Sequence, residues 1–253
     1  MSKSIQEIKK EFESAAWEQK KNLCRLYTGD ERSGVKALIS RVEREEAKLL
    51  KEYARVENML IYEKKYSDFA CICGIDEAGR GPLAGPVVAG AVILPKDARI
   101  LYLNDSKKLT PKRREELFDI IMEEAVSVGV GIVSAQRIDE INILQATYEA
   151  MREAVGQLDP APDLLLNDAV RIPGITIRQV PIIQGDAKSL SIAAASVIAK
   201  VTRDRMMVQY EELYPGYGFA QSKGYGTREH IEMIQKCGPS PIHRASFIKN
   251  FVG

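Results

Sequence analysis

Five short apolar runs, near residues 70–76, 86–94, 127–134, 163–168 and 176–183, constrain the fold of this chain more than any other feature. Each is too short for a buried helix, and all but the leucine run at 163–168 carry β-branched residues, so each reads as a strand. Helical stretches near 137–158 and 189–213 separate the later runs, and Thr110-Pro111 sets a capping hydroxyl and a proline at the start of a helix over 111–125. Strands alternating with helices predict an α/β domain. The segment SLSIAAASVIAKVTRDRMM is small along one side, which lets its helix lie close against a sheet.

Residues from about 4 to 66 have a different character. They are rich in Lys and Glu, Ser4 and Glu7 are spaced as a capping box, and Ile5, Ile8, Phe12 and Ala16 recur at helical intervals. Thr28-Gly29-Asp30 interrupts the pattern, and Val35, Leu38, Ile39, Val42, Leu49, Tyr53, Val56 and Leu60 then form a second stripe. We read residues 1–67 as a helical N-terminal extension and 68–253 as the principal domain, with the stripe packed on a partner helix or on that domain. A chain of 253 residues with 45% hydrophobic content has room for one sizeable core and such an appendage. No apolar run approaches the roughly 20 residues that cross a bilayer, and MSKSIQEIKKEF is too charged for a secretory signal. The expectation is a cytoplasmic protein with no membrane association. Cys24, Cys71, Cys73 and Cys237 lack zinc-ribbon spacing and read as buried free thiols. The net charge of +1 gives no global attraction to nucleic acid, so local clusters such as Lys107-Lys108 with Lys112-Arg113-Arg114 must provide it. Those last three residues sit at the positive end of the 111–125 helix, where phosphate is favoured.

The run GIDEAGRGPLAGP, Gly74 to Pro86, carries the chemistry. An apolar strand delivers Asp76 and Glu77 at its polar end, and a glycine-rich turn follows at once. Successive strand residues point to opposite faces, so one cation can use both acids only if the strand ends or bends there. An isolated Asp-Glu pair is ordinarily a solvated charge pair; Gly79, Gly81 and Gly85 argue against that here. A P-loop needs Gly-Lys-Ser/Thr opening a helix, and a dinucleotide fingerprint places its glycines directly after the strand, so both fit poorly. Asp168 closes the run Leu164-Leu165-Leu166-Asn167, and Asp186 follows Ile182-Ile183-Gln184-Gly185. Singly, each is an ordinary turn or helix-entry residue. If their strands neighbour the first, four carboxylates converge, and divalent cations must offset their repulsion. Ligands made only of oxygen favour magnesium or manganese.

The segments GIDEAGRGPLAGPVVAGAVILP, NDSKKL, LLLNDAV, GDAKSLSIAAASVIAKVTRDR, KGYGT and PIHRASF occur in this order, and the chain from about 70 to 250 resembles bacterial ribonuclease HII. The resemblance implies a ribonuclease H-like mixed sheet flanked by helices at 68–253, and dependence on Mn2+ or Mg2+. It implies cleavage of the RNA strand of RNA–DNA hybrids, and at single ribonucleotides in duplex DNA, with 3′-hydroxyl and 5′-phosphate products. By the same resemblance Asp76, Glu77, Asp168 and Asp186 are the metal-binding catalytic acids, and Gly79-Arg80-Gly81 is the ribose-sensing turn. Tyr225 stacks near the following sugar, and Asn104, Ser106, Lys107 and Lys223 contact nucleic acid. A monomer is expected. Asp204 could assist, but Lys200 stands one helical turn earlier and an ion pair serves as well. His230 and His243 have no ligand-like spacing and read as structural. Asn167 stands where an apolar residue is expected. Two other classes compete with the ribonuclease: a two-metal DNA nuclease or resolvase on a related fold, and a noncatalytic nucleic-acid binding module. Neither needs both four mutually repelling acids and a sugar-sensing turn.

Overall fold

The structure is a computed structural model that describes residues 3–252. It divides into two compact units between Arg55 and Val56. The smaller unit holds α1 (Ile5–Ser14), α2 (Trp17–Leu26) and most of α3 (Ser33–Met59). The expected capping box is present, with Glu7 N–H donating to Ser4 Oγ at 3.3 Å and Ser4 N–H to Glu7 Oε2 at 2.7 Å. The first helix does not run on to Thr28. It breaks at the extended residues Ala15 and Ala16, where Gln19 Oε1 accepts the Ala16 N–H at 3.0 Å and starts α2. Ile8 and Phe12 of α1 bury against Val35 and Val42 of α3, so the early half of the second stripe packs on a partner helix as expected. Tyr53, assigned to that stripe, is exposed.

Val56, Met59 and Leu60 belong to the core of the larger unit. The compact boundary therefore falls inside α3, earlier than residue 67. A short α4 (Ile61–Lys65) leads into the sheet, formed by β1 (Ile72–Ala78), β2 (Val87–Ile93), β3 (Ser127–Val133), β4 (Leu164–Asp168) and β5 (Arg178–Ile182). Their order is β3-β2-β1-β4-β5; β1, β2 and β3 pair antiparallel, and β4 and β5 add parallel to β1. All five expected strands form, in one mixed sheet flanked by helices. α7 (Leu190–Leu213) and α5 (Pro111–Glu124) cover one face, and α6 (Ala135–Gly156) covers the other. The period of two sorts β1 between them: Cys73 and Ile75 pack with α6, while Gly74 faces α7. α6 is kinked at Asn142, whose positive φ of 66° is stabilised by its own Oδ1 accepting Leu144 and Gln145 N–H. The cysteines are free, but only Cys73 is fully buried, and Cys237 is exposed because it ends a surface helix.

The C-terminal elements α8 (Phe219–Ser222), α9 (Arg228–Cys237) and α10 (Ala245–Ile248) enclose the two histidines. His230 and His243 are buried with their Nε2 atoms 3.0 Å apart. The neighbours fix their tautomers. His230 Nδ1 lies 2.8 Å from the Tyr225 carbonyl, which can only accept, so Nδ1 bears the proton and Nε2 accepts. His243 Nε2 must then donate, leaving its Nδ1 to accept the Ser240 N–H at 2.9 Å. Both rings are neutral in this relay. Burial lowers both pKa values, and the neighbouring His230 helps to bring His243 down from 6.5 to about 4.

Two outcomes follow for stability. A Cβ on Gly74 would lie 2.1 Å from the Ser191 carbonyl carbon, so Gly74→Ala is expected to cost about 3 kcal/mol in urea unfolding as α7 is forced off the sheet. A depressed histidine pKa contributes stability that is present above 6.5 and lost as pH falls toward 4. The wild-type protein should lose on the order of 3 kcal/mol to this one group over that interval, and His243→Asn should flatten that part of the stability-versus-pH curve.

Candidate active site

Pairing between β1 and β4 stops at Ile75 and Asn167, whereas β1 stays paired with β2 as far as Ala78. Asp76 and Glu77 therefore stand just past the point where the β4 side of the strand opens. Asp76 is buried on the α7 face, near the Ser196 hydroxyl, and its Oδ1 accepts the Glu77 N–H at 2.7 Å. Asp168 is the last residue of β4, and its Oδ1 accepts the Gly185 N–H at 2.7 Å. That bond ties the end of β4 to the short turn Gly185–Ala187, which carries Asp186 and is entered through Gln184 in the left-handed region at φ 57°.

The four acids share one electrostatic environment. Burial raises the Asp76 carboxyl well above the usual range, and Glu77 and Asp168 add to the effect. Burial also raises Glu77, with Asp168 adding and Arg80, 3.4 Å away, opposing. Asp186 rises through burial and the proximity of Asp105 and Asp168. Lys107 is the local counter-charge: burial works against its ammonium, but Asp76, Asp105, Asp186 and Asp168 together outweigh that and raise its pKa. Among the described residues no three His, Cys, Asp or Glu side chains are gathered to coordinating distance. The acids form an open cluster rather than a closed cage. Its chemistry nevertheless suits a hard divalent cation, because every donor is a carboxylate oxygen and the cluster already draws a cation in the form of Lys107.

Beside the acids, Glu77, Gly79, Arg80, Gly81, Lys107 and Tyr225 line an open cleft. Gly79 has φ 93°, and a Cβ there would lie 2.1 Å from Arg203 Nε, so only glycine fits. Arg244 Nη2 donates to Gly79 O at 2.6 Å and Nη1 to Arg80 O at 2.9 Å. A trans peptide points its N–H opposite its C=O. With both carbonyls drawn inward, the Arg80 and Gly81 amides are turned outward, and neither has an intrachain partner among the described residues. Arg203 completes the clamp, donating to Ala84, Pro86 and Lys223 carbonyls at 2.8–3.0 Å. The exposed Tyr225 ring lies beside Gly81, and its carbonyl ends the histidine relay.

Other sequence assignments fall differently. The buried Ser106 hydroxyl is engaged by Ser196 at 2.9 Å and faces α7. Asn104 Oδ1 accepts the Asp105 N–H, and the Lys223 ammonium folds back onto Ala220 O at 2.6 Å. Of the basic cluster at the start of α5, Arg114 donates to Ser106 and Leu109 carbonyls, and Arg113 pairs with Glu116 while lying over Tyr102. These two hold the loop and are not free for phosphate. Asp204 pairs with Lys200 at 2.7 Å, the ion pair weighed from the sequence. Asn167 is buried, with Nδ2 donating to Val170 O and Gln179 Oε1. Sequence reading passed over Asp105, whose proximity helps to raise Asp186; its only signal was its place between Asn104 and Ser106. Arg203, which the sequence groups with Lys200 and Arg205 as a basic cluster, is instead buried, and the buried Arg244 carried no assignment.

Comparison with known proteins identifies the family. The family model described as Ribonuclease HII matches residues 73–250, and that described as Ribonuclease HII N-terminal domain matches residues 4–67. Ribonuclease HII of Lachnoclostridium phytofermentans is 60% identical over 250 residues, covering 99% of this chain and 98% of the relative. That of Clostridioides difficile is 52% identical over 252 residues, 99% of each. The crystal structure of ribonuclease H2 from Pyrococcus horikoshii superimposes with a TM-score of 0.61 at 28% identity, over 72% of this chain and 97% of that one. Ribonuclease HII of Archaeoglobus fulgidus, solved in complex with PCNA, gives a TM-score of 0.60 at 28% identity, over 71% and 96%. The chain belongs to the ribonuclease HII family and is a type 2 ribonuclease H.

Proposed function

We propose that this ribonuclease cuts the RNA strand of RNA–DNA hybrids and single ribonucleotides embedded in duplex DNA, leaving 3′-hydroxyl and 5′-phosphate ends. One observation carries the reading: a cluster of acids stands next to the turn Gly79-Arg80-Gly81, whose residues line the same cleft as Tyr225 and whose Arg80 and Gly81 amides have no intrachain partner among the described residues. Asp76, Glu77, Asp168 and Asp186 are the residues that would hold Mg2+ or Mn2+. Bound divalent cations supply charge neutralisation at the scissile phosphate, activation of water and stabilisation of the leaving oxygen. The protein's own groups supply position and selectivity. The 2′-hydroxyl is the group that separates RNA from DNA at a single sugar, and the Arg80 and Gly81 amides are two donors aimed where it can accept. Tyr225, exposed beside Gly81, offers a ring face to the next sugar, where an added hydroxyl would crowd it. Arg80, Asn104, Ser106, Lys107 and Lys223 belong to segments that meet the backbone without reading bases; the Ser106 hydroxyl and the Lys223 ammonium are held within the chain, so these two shape their loops. No helix among the described residues is long and apolar enough to cross a membrane. We place the enzyme in the cytoplasm as a monomer, with residues 1–67 as a helical extension of the catalytic domain at 68–253.

Three substrates test this reading in Mg2+ or Mn2+: duplex DNA with one ribonucleotide, the matched all-DNA duplex, and an RNA–DNA hybrid. Cleavage of the first and third but not the second is expected. Equal cutting of the all-DNA duplex would favour the DNA nuclease, and no cutting with tight binding would favour the noncatalytic module. Asp168→Asn should lower kcat by at least about a hundredfold while substrate affinity in a gel-shift assay holds. Tyr225→Ala should equalise cleavage at RNA–DNA junctions and within RNA tracts, with the metal requirement unchanged. Arg244→Lys cannot satisfy the fork of carbonyls, so it should erode the preference for ribonucleotide over all-DNA substrate more than it lowers the rate on the hybrid.

A further inference from the structure

The first turn of α7 is a junction between two of the acid-bearing segments. On one side its backbone touches β1: a Cβ on Gly74, two residues before Asp76, would come within 2.3 Å of Ile192 N and Ser191 O. On the other side it closes the turn that carries Asp186. Gly185 O accepts the Lys188 and Ser189 amides at 2.9 and 2.8 Å, and Ser189 caps α7 by accepting the Ile192 N–H at 3.3 Å. A shift of this turn would move Asp76 and Asp186 relative to each other.

A single carboxylate oxygen fastens the junction. Glu63 Oε1 accepts from Ser189 Oγ at 2.6 Å, from Ser191 Oγ at 2.7 Å and from Ser191 N–H at 3.1 Å. A hydroxyl that donates to Glu63 must turn its lone pairs away, and on Ser189 one then meets the Ile192 amide, so Glu63 orients the cap itself. The α7 N-terminus also favours a negative group at this place. The arrangement carries a cost, because Glu63 Oε2 is buried without a hydrogen-bond partner. Glu63 stands on a fixed base. Leu60 lies in the core, Tyr62, Tyr66 and Phe69 pack around Leu164, Leu166, Ile182 and Ile192, and Arg178 covers Tyr66 and Phe69.

We propose that Glu63 is a positioning residue for the cation site: it holds the first turn of α7 so that Asp76 and Asp186 keep a fixed separation. The proposal rests on the reading of those two acids as metal ligands. Glu63 lies within residues 4–67, outside the match that covers the catalytic core. It gives that segment a task in assembling the site, distinct from any contribution to substrate affinity.

The test is Mn2+ binding to the full-length protein without nucleic acid, read by titration calorimetry. Glu63→Ala and Ser189→Ala should each raise the Mn2+ dissociation constant by about tenfold. Their combination should do little more than either alone, since both break one linkage. Glu63→Gln keeps a side-chain oxygen that can accept, and should restore most of the affinity. Unchanged Mn2+ affinity in both single variants, including the case where only the melting temperature falls, overturns the proposal and leaves Glu63 a purely structural cap. Should Glu63→Ala fail to fold, Ser189→Ala decides the matter. Asp186→Asn is the reference. If it too binds Mn2+ as the wild type does, the assignment of Asp186 as a ligand is what fails; if it weakens binding while the Glu63 and Ser189 variants do not, only the positioning role fails.

Discussion

Two buried guanidinium groups set the shape of the turn beside the acids. Arg203 and Arg244 are almost wholly removed from solvent, and neither makes an ion pair among the described residues. Burial brings their pKa values down to about 10 and about 9, so both remain cations at neutral pH. Taking such a charge out of water costs several kcal/mol unless its donors are satisfied. Here main-chain carbonyls of Gly79, Arg80, Ala84, Gly85, Pro86 and Lys223 satisfy them. The cost of leaving any one of these bonds unmade is what fixes the backbone from 79 to 86 in a single conformation. Planarity of the peptide carries that constraint to the opposite side of the chain, where the Arg80 and Gly81 amides are left without an intrachain partner among the described residues.

The acid cluster obeys the opposite logic. Burial and mutual repulsion raise Asp76, Glu77 and Asp186, so their ionised forms are held at the expense of stability. Lys107 relieves part of this strain, and it projects from a capped turn whose Ser106 hydroxyl is fastened to α7. The positive charge that the protein places beside this cluster, Lys107 and Arg80, does not offset its burial and repulsion. The open arrangement of the acids and the rigid arrangement of the turn are complementary: one waits for charge from outside, the other is fully satisfied from within.

The sheet and most of its helices were legible because their signals are local. Short apolar runs gave the five strands, and Thr110-Pro111 gave the start of α5, where Thr110 Oγ1 accepts the Arg113 N–H. The break at Ala15-Ala16 and the kink at Asn142 were not legible, since two alanines are good helix formers and an Asn within a helix is common enough. The acids could be read because each ends an apolar run. Arg203 and Arg244 could not, because their partners are carbonyls, all but that of Lys223 more than a hundred positions away, and a carbonyl has no letter in the sequence. The same holds for the histidines: no spacing of His230 and His243 predicts that Ser240 and Tyr225 will set their tautomers.

α7 explains why these separate devices act as one site. Its N-terminus is capped by Ser189 and touches β1 at Gly74, its middle presents Ser196 to Asp76 and Ser106, and further along it places Arg203 under the glycine-rich turn. Small side chains along 191–199 are required for the first of these, because a larger residue facing the sheet would lift the helix and break the contacts that depend on its closeness. The alanine-rich sequence is therefore a geometric condition on the placement of the acids as well as a packing preference. The first turn of α7 touches β1 two residues before Asp76 and closes the turn that carries Asp186, so a displacement at its start reaches both acid-bearing segments through direct contacts.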